Sequence, residues 1–253
     1  MPYTYFGPFG SQFGTFAEPA GGNAGTKPLG TKLVLPDERL YRYALHVALA
    51  VPGNLYSSIA PVADHTNVVS DQARAIGATS LSATLGATAA AVDIYSEGYV
   101  HTNDLTGEGF AFRIKRAIAS GQANAAAAAS AILTVALEAG ESVQVATAAT
   151  ADLTFRRNRF HTIIIAPSTP VAGTAGVAAG ATAADRYGYV QTKGYAAVFT
   201  QGTLLIADPA VHSLTTAGCA MPSVAVETDG PILGQVVAVN ATTEYSLLNL
   251  VID

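Results

Sequence analysis

From Thr31 onward the chain sets short runs of β-branched and aromatic residues between clusters of glycine, proline, asparagine and aspartate. Helices of ordinary length do not survive punctuation that frequent, whereas strands of about four to eight residues need it for their turns. Strands are therefore expected at Lys32 to Leu35, Ile132 to Glu138, Val143 to Ala146, Thr162 to Ile165, Tyr187 to Lys193, Ala196 to Thr200 and Thr203 to Ala207. The run RLYRYALHV (Arg39 to Val47) fits a strand or a helix turn, and its length does not separate the two.

Two hairpins are predicted. Ile94 to Thr102 and Phe110 to Ile118 flank the glycine-rich turn NDLTGEG, and Ile232 to Val239 and Tyr245 to Ile252 flank NATTE. Two alanine-rich stretches interrupt the pattern. Ala123 to Ala131 suits a short helical turn or a loop, and the glycine-broken Ala172 to Ala184 reads as a surface loop. The fold class that follows is all-β: a sandwich or barrel-like body of many short antiparallel strands with little helix. It covers residues 31–253 and leaves room for two subdomains. The pentapeptides GYVHT (Gly98 to Thr102) and GYVQT (Gly188 to Thr192) are too short to establish a repeat.

Residues 1–30 are different. Tyr3, Tyr5, Phe6, Phe9, Phe13 and Phe16 alternate irregularly with glycine and proline, which deny the segment regular structure while the rings require an apolar partner. An extended N-terminal arm docked on its own body or on a neighbouring copy is expected, with those six rings at the interface.

Charge narrows the class of partner. Only 12% of the residues are charged, against roughly 25% in an average soluble domain. Much of the surface must then be neutral or covered by neighbours. A net charge of −5 supplies no overall positive field for phosphates, so nucleic acid is not expected as a partner. The start MPYTYFGPFG lacks the basic, then apolar, pattern of a secretory signal, and the longest apolar run, Ala125 to Leu137, is too short for a membrane span. A protein made in the cytoplasm with no membrane partner is expected.

Sites for chemistry are sparse. The histidines, His46, His65, His101, His161 and His212, lack the paired spacing of a metal site on one element. No metal or other cofactor is expected. Asp104 and Glu108 share a turn where two carboxylates could divide acid and base roles, but both are common turn formers. There is no GxSxG elbow, no phosphate-cradling GxxxxGK[ST] and no GxGxxG after a strand. Cys219 has no base beside it in sequence and reads as a small buried hydrophobe. An enzyme is not expected.

One charge cluster stands out. In FRRNRF (Phe155 to Phe160), Arg156, Arg157 and Arg159 crowd between two aromatics, a composition suited to an interface that captures carboxylates.

Four blocks carry a resemblance: KLVLPDERLYRYAL (Lys32 to Leu45), SEGYVHTNDLTGEGFAFRIK (Ser96 to Lys115), RYGYVQTKGYAAVFTQGTLLIAD (Arg186 to Asp208) and GQVVAVNATTEYSLLNLVID (Gly234 to Asp253). Together they resemble head decoration, or cement, proteins of tailed bacteriophages. The resemblance implies a virion structural protein on the exterior of the capsid, contacting the major capsid protein and its own copies, as a homotrimer. A second reading is a tail or fibre component that binds host-surface carbohydrate, with Tyr187, Tyr189 and Tyr195 as stacking platforms. The absence of tryptophan weighs against it.

Overall fold

The computed structural model describes residues 27–117, 123–223 and 231–253. The six aromatic residues assigned to the arm, Tyr3 to Phe16, lie outside them. The described chain is all-β, as the punctuation predicts. Sixteen strands follow in order: β1 Lys32–Val34, β2 Leu40–His46, β3 Leu55–Ser57, β4 Val68–Val69, β5 Ser80–Thr84 and β6 Tyr99–Thr102. Then come β7 Ala111–Arg113, β8 Ile132–Ala136, β9 Asp152–Arg156, β10 Ile164–Ile165 and β11 Thr174–Ala178. The last five are β12 Arg186–Phe199, β13 Pro209–His212, β14 Ala220–Pro222, β15 Ile232–Ala238 and β16 Tyr245–Val251. One 3-10 turn, Ala63–His65, is the helical element among the described residues, and none of these residues forms a helix long and apolar enough to cross a membrane.

The chain divides into two compact units, one inserted in the other. Residues 27–60 and Arg159–Asp253 form the first, and Pro61–Asn158 the second. In the first unit a ten-stranded sheet runs β10-β3-β11-β12-β16-β15-β13-β14, with β2 joined to β12 and β1 to β2. In the second, β4-β9-β6-β7 form one antiparallel sheet and β5 pairs with β8.

The spine of the larger sheet is β12. Its first half pairs with β2, from Arg186 opposite His46 to Lys193 opposite Leu40, and its second half with β16, from Lys193 opposite Val251 to Phe199 opposite Tyr245. The change of partner falls at a bulge between Gln191 and Lys193, followed by Gly194 at φ 83°. The buried Gln191 side chain fastens this bend: its Nε2 donates to the carbonyls of Lys193 at 3.1 Å and Tyr195 at 2.9 Å. Gln191→Ala strands both acceptors, so the chemical denaturation midpoint should fall by the equivalent of about 1–2 kcal/mol.

Several expectations change. Tyr187 to Lys193 and Ala196 to Thr200 are one continuous strand, because the Gln191 amide carries the backbone across Gly194. Thr203 to Ala207 is not a strand but a loop that leaves Leu205 and Ile206 exposed. Val143 to Ala146 is irregular as well. Within Ile94 to Thr102 only β6 is extended, since Asp93 and Glu97 at φ 55° and 59° turn the preceding chain inward. The supposed surface loop Ala172 to Ala184 contains β11, whose five residues TAGVA are all buried between β3 and β12. A Cβ on Gly176 would stand 2.7 Å from the Gln191 carbonyl oxygen, so β12 leaves no room for a side chain at that position. Ala123 to Ala131 is not helical, and the Asp93 carboxylate accepts from the Ala123 and Asn124 amides at 2.7 and 3.3 Å.

Each unit has its own core. In the second unit Leu81, Val100, Phe112, Ile114, Leu133 and Phe155 are almost wholly buried, each contributing about 1.5–3 kcal/mol by leaving water. In the first, Tyr43 stacks on Tyr187 at 5.2 Å and meets Tyr189 edge-on at 5.6 Å, beside Leu33, Leu35 and Ile163.

Candidate functional site

The arginine run FRRNRF begins as the end of β9. Strand alternation turns Phe155 into the core and Arg156 out to solvent. On the same sheet Tyr99 of β6 lies directly opposite both Arg156 and Arg113 of β7, while Val100 lies opposite Phe155 and Phe112. Paired residues share a face, so the outer surface carries the row Arg156, Tyr99, Arg113 and the inner surface the row Phe155, Val100, Phe112. Tyr99 is 49% exposed, and the Arg156 guanidinium has no ion-pair or hydrogen-bond partner among the described residues.

Below this row sits a buried acid. Glu97 is 3% exposed, and its carboxylate lies 3.6 Å from Arg113 Nη2 and 3.1 Å from Arg116 Nε. Its carbonyl accepts from Asn158 Nδ2 at 3.1 Å. Glu97 thereby fixes one end of the row, because Arg113 cannot swing freely while paired. Nearby, the buried His65 imidazole bridges the Tyr95 hydroxyl through Nδ1 and the Thr88 carbonyl through Nε2 at 2.8 Å. Burial pushes the Tyr95 hydroxyl up to about 12, against the pull of the Arg157 and Arg156 charges.

The other two arginines of the cluster do not join Arg156 on the outer row. Arg157 is half-buried, and desolvation lowers its pKa. Arg159 belongs to the first unit, where its Nε donates to the Thr174 carbonyl at 2.6 Å and its guanidinium lies 5.6 Å from the Phe160 ring centre. Phe155 and Phe160, expected to flank a common surface patch, are buried in the cores of different units. Strand alternation and the unit boundary at Asn158 divide what looks continuous in sequence. Tyr99 and Arg113 were missed, although period-two alternation through GYVHT and FAFRIK places them on one face.

A second feature lies on the first unit, where β12 changes partner. A cleft of about 590 Å³ is lined by Pro52, Val177, Ala178 and Ala196 together with Tyr195 and Tyr245. Of the three tyrosines proposed as stacking platforms, Tyr187 and Tyr189 are buried against Tyr43, and only Tyr195 is exposed, at 59%. Tyr245, 43% exposed, was not among them. Its ring packs on Phe199 at 5.6 Å and over Gly53, where a Cβ would stand 2.5 Å from the ring.

Asp104 accepts from the Asp152 amide at 2.8 Å, which fastens the NDLTGEG turn to β9, while Glu108 points to solvent. Cys219 is buried, and desolvation pushes its thiol up to about 11, keeping it protonated. No group of three His, Cys, Asp or Glu side chains among the described residues is placed to hold a metal ion. No family model, curated protein or solved structure matches the chain.

Proposed function

We propose that this protein is a structural component of a tailed-phage virion that docks on the outer face of the capsid and stabilises the shell, contacting the major capsid protein and its own copies. The observation that supports this reading most is the row Arg156, Tyr99, Arg113 on the outer face of β9-β6-β7. Arginine and tyrosine are the side chains enriched at protein interfaces, and here both stand exposed on a rigid sheet in a chain otherwise poor in charge. Arg156, without a partner among the described residues, is available for a carboxylate or backbone carbonyl of a shell subunit. The four sequence blocks resembling head decoration proteins point the same way.

Repetition makes modest contacts effective. One row buries little area, but many copies on a lattice add avidity, and anything that binds only the assembled shell shifts the equilibrium toward it. The test is to add purified protein to particles that lack it and measure the temperature at which the nucleic acid escapes. Wild-type protein should bind at stoichiometric copy number and raise that temperature. Arg156→Glu with Tyr99→Ala should weaken binding about 30-fold or more, since two anchor residues are lost. Equal robustness with and without the protein would refute the stabilising role.

A further inference from the structure

The cleft on the first unit has a polar complement that the fold does not use. Arg39 is held in place by its Nε contact with Asp37 Oδ2 at 2.6 Å and by Nη1 donating to the Tyr41 hydroxyl at 3.1 Å. Its Nη2 has no partner among the described residues. Gln191 lines the cleft and spends its Nε2 on the bend of β12, and its Oε1 makes no hydrogen bond within the described residues. The hydroxyls of Tyr195 and Tyr245 likewise make no hydrogen bond within the described residues. Donors and acceptors unpartnered among the described residues thus share one lining with aliphatic side chains and two exposed tyrosine rings.

We propose that this cleft binds the hexopyranose ring of a polysaccharide, with Tyr195 and Tyr245 against the ring's CH faces and Arg39 Nη2 and Gln191 Oε1 on its hydroxyls. The chemistry selects that class. A sugar ring presents alternating CH faces and hydroxyl edges, which match aromatic walls and a mixed set of donors and acceptors. No acidic side chain among the described residues lines the cleft, so a cationic ligand meets no counter-charge from them. The volume falls in the range of roughly 300–1,000 Å³ usual for small-ligand clefts and leaves space for more than one ring. The site is also preorganised: Gly53 at φ 78° admits the Tyr245 ring, and Gly194 at φ 83° lies 3.0 Å from Arg39 Cγ, measured from the position of an added Cβ.

This site lies on a different unit from the docking row, so the two proposals fail separately. The test titrates the full chain with tetrasaccharides of glucose, galactose, N-acetylglucosamine and glucuronate, and with the corresponding monosaccharides, following tyrosine emission and protein amide shifts. The chain has no tryptophan, so emission reports tyrosine alone. At least one tetrasaccharide should bind saturably, more tightly than its monosaccharide, and shift amides of residues 191–197. Tyr245→Ala and Tyr195→Ala should each weaken it about tenfold, while Tyr245→Phe keeps most of the affinity. Thermal melts of each variant separate lost binding from lost folding. Absence of saturable binding up to about 10 mM overturns the proposal. Undiminished affinity in the double alanine variant also overturns it, as does occupancy of the cleft by a synthetic peptide of residues 1–26 or by a second copy of the chain in place of sugar.

Discussion

Glu97→Ala should destabilise the second unit by about 3–5 kcal/mol, because it leaves two arginines facing an emptied, largely water-free site. Glu97 is nearly inaccessible and lies against both Arg113 and Arg116. Glu97→Gln keeps the shape and removes the charge, so most of the loss should persist. Arg113→Ala should cost much less, since the Arg113 side chain is 40% exposed and water replaces part of what it supplies. Urea denaturation followed by a probe in residues 61–158 measures all three. A loss below about 1 kcal/mol for Glu97→Ala would mean that solvent reaches the carboxylate and that the pairs act as surface pairs. Because Glu97 also anchors Arg113, the alanine variant should weaken the proposed docking on shells even where it stays folded.

The second large effect is expected on acidification. His46 is fully buried at the end of β2, edge-on to Tyr56 at 5.2 Å, and neither ring nitrogen has a hydrogen-bond partner among the described residues. Desolvation lowers its pKa from 6.5 to about 4. The unfolded chain takes up a proton below 6.5 whereas the folded chain resists until about 4, so the unfolded state binds more protons across that window. The stability His46 contributes is therefore whole above pH 6.5 and is lost as pH falls toward 4, about 2 kcal/mol by pH 5 and about 3 kcal/mol in all. Burial lowers His101 and His212 in the same direction. Denaturation midpoints at pH 7 and pH 5 should differ by at least the His46 share in the wild type, and His46→Phe should reduce the difference by about 2 kcal/mol. An unchanged pH dependence in His46→Phe would place the acid sensitivity elsewhere.

How much of this could be read from the sequence depends on what each residue had to report. Where one face is wet and the other dry, alternation reports both, and the strand cores at Ile132–Ala136 and Tyr245–Val251 fall inside the predicted runs, while Leu40–His46 resolves as a strand a run that fitted strand or helix turn. Where both faces are covered, alternation vanishes: all five residues of TAGVA are buried, and with its alanines and glycine the run looks like a loop. The unbroken course of β12 rests on one amide reaching two carbonyls, which no propensity encodes. The basic row and the cleft are assembled from strands far apart in the chain. Arg156 was legible as a candidate, but its neighbours Tyr99 and Arg113 are joined to it by register. Tyr245 enters the cleft because Gly53, almost two hundred positions away, makes space for its ring.

Insertion of residues 61–158 into the first unit imposes an order of events during synthesis. Strands β2 and β3 leave the ribosome without their partners β10, β11 and β12, which follow only after the whole intervening unit has been made. At about 5–20 residues per second that interval lasts roughly 5–20 s. The inserted unit, with every paired strand inside its own span, can close while the earlier segment still waits with unpaired edges. Newborn chains halted within residues 61–158 should therefore be the ones that recruit chaperones through LYRYALH.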